Sequence, residues 1–159
     1  MRVLAFDPGF ERLGAAVVER VGGKDVLLHS ECLRTSAKLS FEERLLLLGK
    51  AAEALIELWL PEMVAIEDVY FENNAKTAMH VAEVCGTLKY IALSHKLPLA
   101  HYSPLQVKVA ITGYGKSDKA AIAHMIPRLV KLPDRKRLDD ELDAIAVGLT
   151  CLASTRLRP

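Results

Sequence analysis

The first strand-like segment of the chain ends in a carboxylate, and this feature constrains the fold more than any other. The sequence RVLAFDPG places four apolar residues directly before Asp7, and Pro8-Gly9 ends the segment. Such a segment is typical of a strand that is buried inside a sheet. Burying an ionised carboxylate costs several kcal/mol, comparable with the whole stability of a domain, unless a cation or hydrogen bonds compensate the charge. The chain therefore has to supply a partner for Asp7.

A second apolar segment ends in the same way. The sequence EMVAIEDVY predicts a strand that carries Glu67 and Asp68 near its carboxyl end. Strands separated by helices run parallel with right-handed crossovers, and ligands gather at the carboxyl ends of such strands. We therefore expect the carboxylates of Asp7 and Glu67 to lie side by side, where two like charges repel unless a cation lies between them.

A third group of acids opens the last predicted helix, LDDELDAIAVGLTCLA, which is otherwise almost wholly apolar. At about 100° per residue, Asp143 lies about 60° from Asp140 and about 40° from Asp139 around the helix axis. Spacing alone does not choose between these two pairs. We interpret Asp139 and Glu141 as acids that favour the positive end of the helix dipole, and we expect Asp143 to face the sheet.

These acids offer hard oxygen ligands, and no cysteine or histidine stands with them at ligand spacing. Oxygen-only ligand sets favour Mg²⁺, or Mn²⁺, over zinc. Several carboxylates with room for two ions about 3.5–4 Å apart form the arrangement that cuts phosphodiesters by in-line attack of water. The sequence therefore predicts a divalent metal centre that compensates the charge of Asp7.

Hydrophobic periodicity predicts three strands, a helix, a strand, a helix, a strand and then three helices. The expected strands are 2–7, 12–20, 24–35, 62–70 and 97–103, with VGGKD as the turn of an antiparallel meander. The expected helices are one between Ser40 and Pro61, then 75–95, 104–111, 117–130 and 138–153. Expected helix caps are Ser40 with Glu43 as a capping box, Asn73 or Asn74, and Ser117. This order predicts an α/β three-layer sandwich, with a mixed five-stranded sheet and helices on both faces, as a single domain spanning 1–159.

Composition excludes several classes of protein. Three widely spaced cysteines indicate neither a disulfide framework nor a zinc site, and no apolar run approaches the roughly 18 residues of a membrane span. We expect no signal peptide and a cytoplasmic location. Residues 104–137 hold eight Lys or Arg and two Asp or Glu, a net charge of +6 in a chain of net charge +1. A basic block beside an acidic cluster favours a surface that binds phosphate.

Four motifs in order resemble the RuvC family of Holliday junction resolvases: LAFDPGFERLGAAVV, AIEDVYFENNA, PLQVKVAITGYGKSDK and DDELDAIAVGL. The resemblance spans essentially the whole chain. It implies a ribonuclease H-like fold and a homodimeric, two-metal endonuclease that resolves four-way DNA junctions in recombination and repair. A RuvA–RuvB branch-migration complex is an implied partner. The catalytic, metal-binding acids implied are Asp7, Glu67, Asp140 and Asp143, which selects Asp140 over Asp139.

The resemblance also implies residues that bind DNA. Lys108 and Lys119 match the two functional lysines of the family near the scissile phosphate, and Tyr70 matches an aromatic residue that stacks on a base at the junction. We add Lys116, which lies in the same basic block, as a DNA-binding residue. Phe71 is adjacent to Tyr70, and only Tyr70 is assigned to DNA, because one of two adjacent aromatic residues at a strand end usually packs inward.

Three other functions compete with this one. A ribonuclease H-like nuclease that processes RNA would share the fold. An ATP-binding fragment of the actin and sugar-kinase type would share the sheet, but needs a second domain to close over ATP. A non-catalytic protein that binds junctions would not need four carboxylates. For a homodimer, we expect the helix at 75–95 to form the interface.

Overall fold

The computed structural model describes residues 1–68 and 75–155 of the chain, with side chains in the helix that starts at Ala75 described from Thr77. Three strands form the predicted antiparallel meander: β1 (Arg2–Asp7), β2 (Arg12–Val21) and β3 (Lys24–Arg34). Gly22 and Gly23 connect β2 to β3 with φ angles of +57° and +81°. Two positive φ angles in succession are what a tight hairpin turn requires, and glycine adopts them without steric cost.

Helix α1 (Phe41–Trp59) follows the meander and starts at the predicted capping box. The Ser40 hydroxyl accepts a hydrogen bond from the Glu43 backbone N–H, and the Glu43 carboxylate accepts one from the Ser40 N–H. The helix ends at Leu60, whose left-handed backbone directs the chain into Pro61 and the next strand. Local sequence therefore specifies both ends of α1, through the capping box at its start and through Pro61, which cannot continue the helix, at its end.

Two further strands, β4 (Met63–Glu67) and β5 (Leu99–Tyr102), complete a mixed sheet of order β3-β2-β1-β4-β5. Both pair in parallel, β4 with β1 and β5 with β4, as crossover helices require. Phe6 pairs with Ile66, so β1 and β4 end at the same level with Asp7 beside Glu67. The strand expected at 62–70 starts one residue later, at Met63. Its expected end falls within residues 69–74, which lie outside the described ones.

Four helices complete the chain: α2 (Ala75–Ser94), α3 (Pro104–Thr112), α4 (Lys119–Leu129) and α5 (Asp139–Thr155). The predicted cap of α2, Asn73 or Asn74, falls outside the described residues. Ser117 was wrong as the cap of α4. Its hydroxyl lies 2.7 Å from the Thr112 hydroxyl, and Asp118 instead accepts the hydrogen bond from the Ala121 N–H.

The sheet is covered on both faces, as predicted. One face packs on α1 and α2 through alternate residues such as Leu4 and Phe6, and the other packs on α3, α4 and α5 through Val3 and Ala5. Within the described part of the chain, no helix has the length and apolar character needed to cross a membrane. Asp7 follows Val3 and Ala5 at every second position of β1, and Glu67 follows Ala65 in the same way on β4. Both acids therefore point towards α5.

The start of α5 approaches the sheet so closely that only glycine fits beneath it. An added Cβ at Gly14 would lie 1.9 Å from the Asp140 carbonyl oxygen, and one at Gly148 would lie 2.8 Å from a Val18 methyl group. These contacts, one at the start of α5 and one in its middle, set the height of α5 above β1 and β2. The acids in the first turns of α5 are thereby placed over the carboxylate row of the sheet.

Gly14→Ala should therefore destabilise the protein by about 1–3 kcal/mol or more, since backbone has to move to admit the methyl group. The measurement is urea unfolding followed by circular dichroism. Gly49→Ala in α1 is the control, because its Cβ would meet side-chain carbons at 3.4 and 3.5 Å, an ordinary contact. Equal stability for Gly14→Ala and Gly49→Ala would contradict the close approach.

Candidate active site

Asp7 lies at the carboxyl end of β1, on the face covered by α5. It pairs in register with Gly14 of β2, directly beneath the start of α5. Burial raises the pKa of Asp7 well above its usual range, and the neighbouring charges of Glu67, Asp143 and Asp140 raise it further. The same charges identify the acids that surround Asp7. The sequence-based expectation that acids from two strands and one helix converge is therefore what the structure shows.

Glu67 occupies the equivalent position on the next strand. The pKa of Glu67 is raised to about 7, mainly by burial and secondly by repulsion from Asp143. A hydrogen bond from the Asp7 carboxyl acts in the opposite direction and lowers this pKa. The positive charges of Lys119 and Lys108 lower it too. The pair Asp7 and Glu67 therefore retains a proton to higher pH than two exposed carboxyls would.

The structure separates Asp140 from Asp139, which helical spacing did not. Asp140 is close enough to raise the pKa of Asp7, and its side chain is 20% exposed. Asp139 is exposed, and its charge acts on Lys119. This placement favours Asp140 as the partner of Asp143 in the acidic cluster, which we define as Asp7, Glu67, Asp140 and Asp143.

Two cations from different elements border the acidic cluster. The Lys119 Nζ, from the first turn of α4, donates a hydrogen bond of 2.8 Å to the Asp143 carboxylate, and this bond raises the pKa of Lys119. The Arg12 Nη1, from the start of β2, lies 3.3 Å from Asp140 Oδ2. Arg12 was not among the residues expected from the sequence, although alternation along β2 places it on the same face as Gly14.

The other expected DNA-binding residues are placed as follows. Lys108, half-buried on α3, lies near enough to Glu67 to lower its pKa. Lys116 is exposed in the turn before α4 and makes no hydrogen bond or ion pair with the acids that the structure describes. Tyr70 lies outside the described residues. The structure thus brings Lys119 and Lys108 to the acids but does not bring Lys116 into contact with them.

A buried network that the sequence did not reveal fixes the start of α5. Glu141 is 3% exposed, so it does not act as an exposed acid of the first helical turn. Its carboxylate accepts hydrogen bonds from the Ser30 hydroxyl at 2.6 Å and from Arg135 Nη1 at 3.1 Å. Arg137, also buried, places its Nε 3.4 Å from Glu141. Two guanidinium groups and a hydroxyl compensate the charge, so the basic loop between α4 and α5 is tied to β3.

The acidic cluster fits a divalent metal ion by its chemistry. It offers carboxylate oxygens from three elements, and Asp140 Oδ2 is buried without a hydrogen-bond donor. Among the described residues, no three acidic, histidine or cysteine side chains already surround one point at ligand distance. Asp140 and Asp143 instead lie beside Arg12 and Lys119. Oxygen donors of this kind match Mg²⁺ and Mn²⁺.

Comparison with known proteins identifies the family. The model of the family described as "Crossover junction endodeoxyribonuclease RuvC" matches residues 3–151. The chain belongs to the RuvC family. RuvC of Rhodococcus jostii is 39% identical over 150 residues, which cover 94% of this chain and 79% of that protein. RuvC of Roseiflexus sp. is 40% identical over 148 residues, covering 93% and 88%.

Solved structures agree with the family match. Thermus thermophilus RuvC in complex with a Holliday junction substrate is 31% identical, with a TM-score of 0.92 over 99% of this chain and 96% of that chain. The yeast mitochondrial resolvase Ydc2 is 14% identical with a TM-score of 0.72, over 93% of this chain and 76% of that one, and shares the fold. The expected ribonuclease H-like fold and the expected crossover junction endodeoxyribonuclease are confirmed. RuvC proteins are metal-dependent nucleases.

The burial of Glu67 predicts how stability depends on pH in EDTA. Below about pH 4.5, Glu67 is protonated in the folded and the unfolded protein, and burial carries no charge penalty. Its pKa is about 7 in the folded protein against an ordinary 4.5, so stability is lost as pH rises through this window. The free energy of unfolding should fall by about 2–3 kcal/mol between pH 4.5 and pH 7, because a shift of one pKa unit corresponds to about 1.4 kcal/mol.

Denaturant unfolding at a series of pH values measures this loss. Glu67→Gln should flatten the decline, because its side chain does not ionise. Glu53→Gln, which changes an exposed glutamate of α1, should keep the wild-type decline. An identical pH dependence in Glu67→Gln and the wild type would show that Glu67 is not the buried titrating group.

Proposed function

We propose that this chain resolves Holliday junctions as a homodimer, using Mg²⁺ held by Asp7, Glu67, Asp140 and Asp143 to hydrolyse one phosphodiester per subunit. The observation that carries the proposal is the convergence of these acids at one end of the sheet, where burial and mutual repulsion raise the pKa of Asp7 and Glu67. Thermus thermophilus RuvC, whose structure was solved in complex with a Holliday junction substrate, supports four-way DNA as the substrate of this chain.

Each acid would contribute through its place in the fold. Mg²⁺ held by these acids would neutralise charge on the phosphate and would lower the pKa of a water molecule. Asp7 and Glu67, fixed at the ends of adjacent strands, form the rigid floor of the site. Asp140 and Asp143 come from α5, whose position is set by Gly14 and by the buried Glu141 network. A rigid set of ligands of this kind orients the reacting groups before the substrate arrives.

The lysines would act on the DNA. Lys119 already lies 2.8 Å from Asp143, so its ammonium group stands at the edge of the site where a scissile phosphate would approach. Lys108 on α3 stands near Glu67 on the same side. Positive charge placed where negative charge develops stabilises the transition state more than the ground state. Lys116, exposed in the adjoining turn, would contact a more distant phosphate, and Tyr70 would stack on a base.

The assembly we propose follows the needs of a four-way substrate. Two subunits related by twofold symmetry can cut two strands of one junction. Helix α2 exposes Met79, Tyr90 and Leu93, of which Tyr90 is 74% exposed, and this apolar surface supports the expected interface at 75–95. The chain would form one domain across 1–159, work on DNA in the cytoplasm, and cooperate there with a RuvA–RuvB complex.

Neutralising any of the four acids should abolish cutting but not binding. We expect Asp7→Asn, Glu67→Gln, Asp140→Asn and Asp143→Asn each to lower the cleavage rate by more than about 100-fold, a larger loss than changes to the residues that merely orient metal ligands cause. Each variant should still shift a junction in a gel without divalent metal, since the basic residues are unchanged. The assay uses labelled four-way junctions, linear duplex and RNA, with and without Mg²⁺.

Asp139→Asn is the matched control, because it removes the same charge from the same helical turn while Asp139 is exposed. It should cut at close to the wild-type rate. Normal cutting by Asp140→Asn together with loss in Asp139→Asn would assign the metal ligand to Asp139. Faster cutting of RNA than of junctions by the wild type would overturn the proposed substrate.

A further inference from the structure

Two arginines lie directly beyond the row of acids, on the face of the sheet that α5 covers. Arg12 of β2 pairs in register with Arg34 of β3. Paired residues of antiparallel strands point to the same face. The preceding pairs of these strands, Gly14 with Cys32 and Ala16 with Ser30, lie under α5, as the contacts of Gly14 with Asp140 and of Ser30 with Glu141 show. Arg12 and Arg34 therefore stand side by side at the end of the same face.

This pair is unfavourable for folding. Like charges directly opposite each other on neighbouring strands repel, and cross-strand pairs of opposite charge would stabilise the hairpin instead. Asp140 lies beside Arg12 but compensates only one of the two charges, and local arrangements that weaken a fold are typical of functional sites. Burial and the charge of Asp140 raise the pKa of the Cys32 thiol, whereas the positive charges of Arg12 and Arg34 both lower it, as expected for two cations near Cys32 on β2 and β3.

The protein leaves both arginines available to a ligand. Arg12 lies 3.3 Å from Asp140 Oδ2, but its side chain is 49% exposed and Oδ2 receives no hydrogen bond from it. Arg34 is exposed and forms no hydrogen bond or ion pair with any other residue of the described ranges, 1–68 and 75–155. Two guanidinium groups therefore present N–H donors towards solvent beside the acidic cluster.

The backbone that carries these arginines is held firmly. The Thr35 N–H donates to the Glu11 carbonyl at 3.0 Å, and the Thr35 hydroxyl donates to the Phe10 carbonyl at 2.6 Å. These bonds close the end of the β2–β3 ladder and tie it to the loop that follows Asp7. The backbone positions of Arg12 and Arg34 relative to the acidic cluster are thereby fixed.

We propose that Arg12 and Arg34 form a binding site for a backbone phosphate of the DNA strand being cut, on the β3 side of the acidic cluster. Lys119 and Lys108 lie on the α3–α4 side, so a strand that crosses the acids would meet cations before and after the scissile phosphate. Guanidinium groups bind phosphate through two parallel N–H bonds and remain charged at any working pH. The inference rests on the proposed function and adds a second contact that orients the strand.

Junction binding in EDTA, followed by fluorescence anisotropy over a range of salt concentrations, tests this site without cleavage. Each phosphate contact contributes about 0.9 to the slope of log affinity against log salt. Arg34→Gln should flatten the slope by somewhat under one per subunit and weaken binding about tenfold, the usual effect of losing a charged hydrogen bond. Arg34→Lys should keep most of the salt dependence of binding, because the positive charge remains. The double variant, Arg12→Gln with Arg34→Gln, should flatten the slope by no more than the value expected for one phosphate contact per subunit.

Lys24→Gln is the matched control, because it removes one exposed charge from the same strand at its opposite end. It should bind as the wild type does. Thermal unfolding of each variant checks folding, and we expect Arg34→Gln to unfold at or above the wild-type midpoint since a like-charge pair is relieved. The inference would be overturned if the double variant and Lys24→Gln gave the same slope of log affinity against log salt. It would also be overturned if both lost the same amount of junction affinity relative to the wild type.

Single methylphosphonate substitutions near the cleavage position give an independent test in the presence of Mg²⁺. Neutralising the phosphate that Arg12 and Arg34 contact should slow cutting by the wild type, but should not slow the double variant further. An equal further loss in the double variant would contradict the site. A wild-type protein that cuts no junction would instead contradict the proposed function, so the two failures are distinguishable.

Discussion

The burial of two carboxylates beside two others, at one end of the sheet, governs the chemistry of the whole site. Asp7 is buried at the end of β1, and the charges of Glu67, Asp143 and Asp140 add to the cost of its ionisation. A protein does not gain stability from such a cluster. Its cost is offset by protons shared between Asp7 and Glu67, by the cations beside Asp140 and Asp143, or by a divalent metal ion.

The fold holds these acids together by features remote from their chemistry. Helix α5 reaches the sheet because Gly14 and Gly148 carry no side chain. Its first turn is fixed by Glu141, which the Ser30 hydroxyl and two arginines of the preceding loop compensate. The sequence therefore devotes one acid of the DDELD segment to structure and, we propose, two to the metal. Substitutions at Ser30 or Arg135 would disturb the site without touching it.

Much of the fold was predictable, because period-2 and helical patterns and the Ser40 capping box are local signals. The adjacency of Asp7 and Glu67 followed from parallel strands of similar length. Ser117 was wrong as a cap because a tertiary contact with Thr112 occupies its hydroxyl. Glu141 was misjudged because its partner Ser30 is 111 residues away in the chain. Arg12 and Arg34 were missed because strand alternation places a residue on a face, but only the register reveals its neighbour across the ladder.

Proton release on Mg²⁺ binding shows whether a metal ion takes over the charge of the acidic cluster. A metal ion that occupies the cluster has to displace the protons that the raised pKa values of Asp7 and Glu67 allow them to retain. Calorimetric titration at pH 7 in two buffers of different ionisation enthalpy should therefore show net proton release on Mg²⁺ binding. Asp7→Asn should release fewer. Mg²⁺ binding without proton release, or with equal release in Asp7→Asn, would contradict a metal site built on these acids.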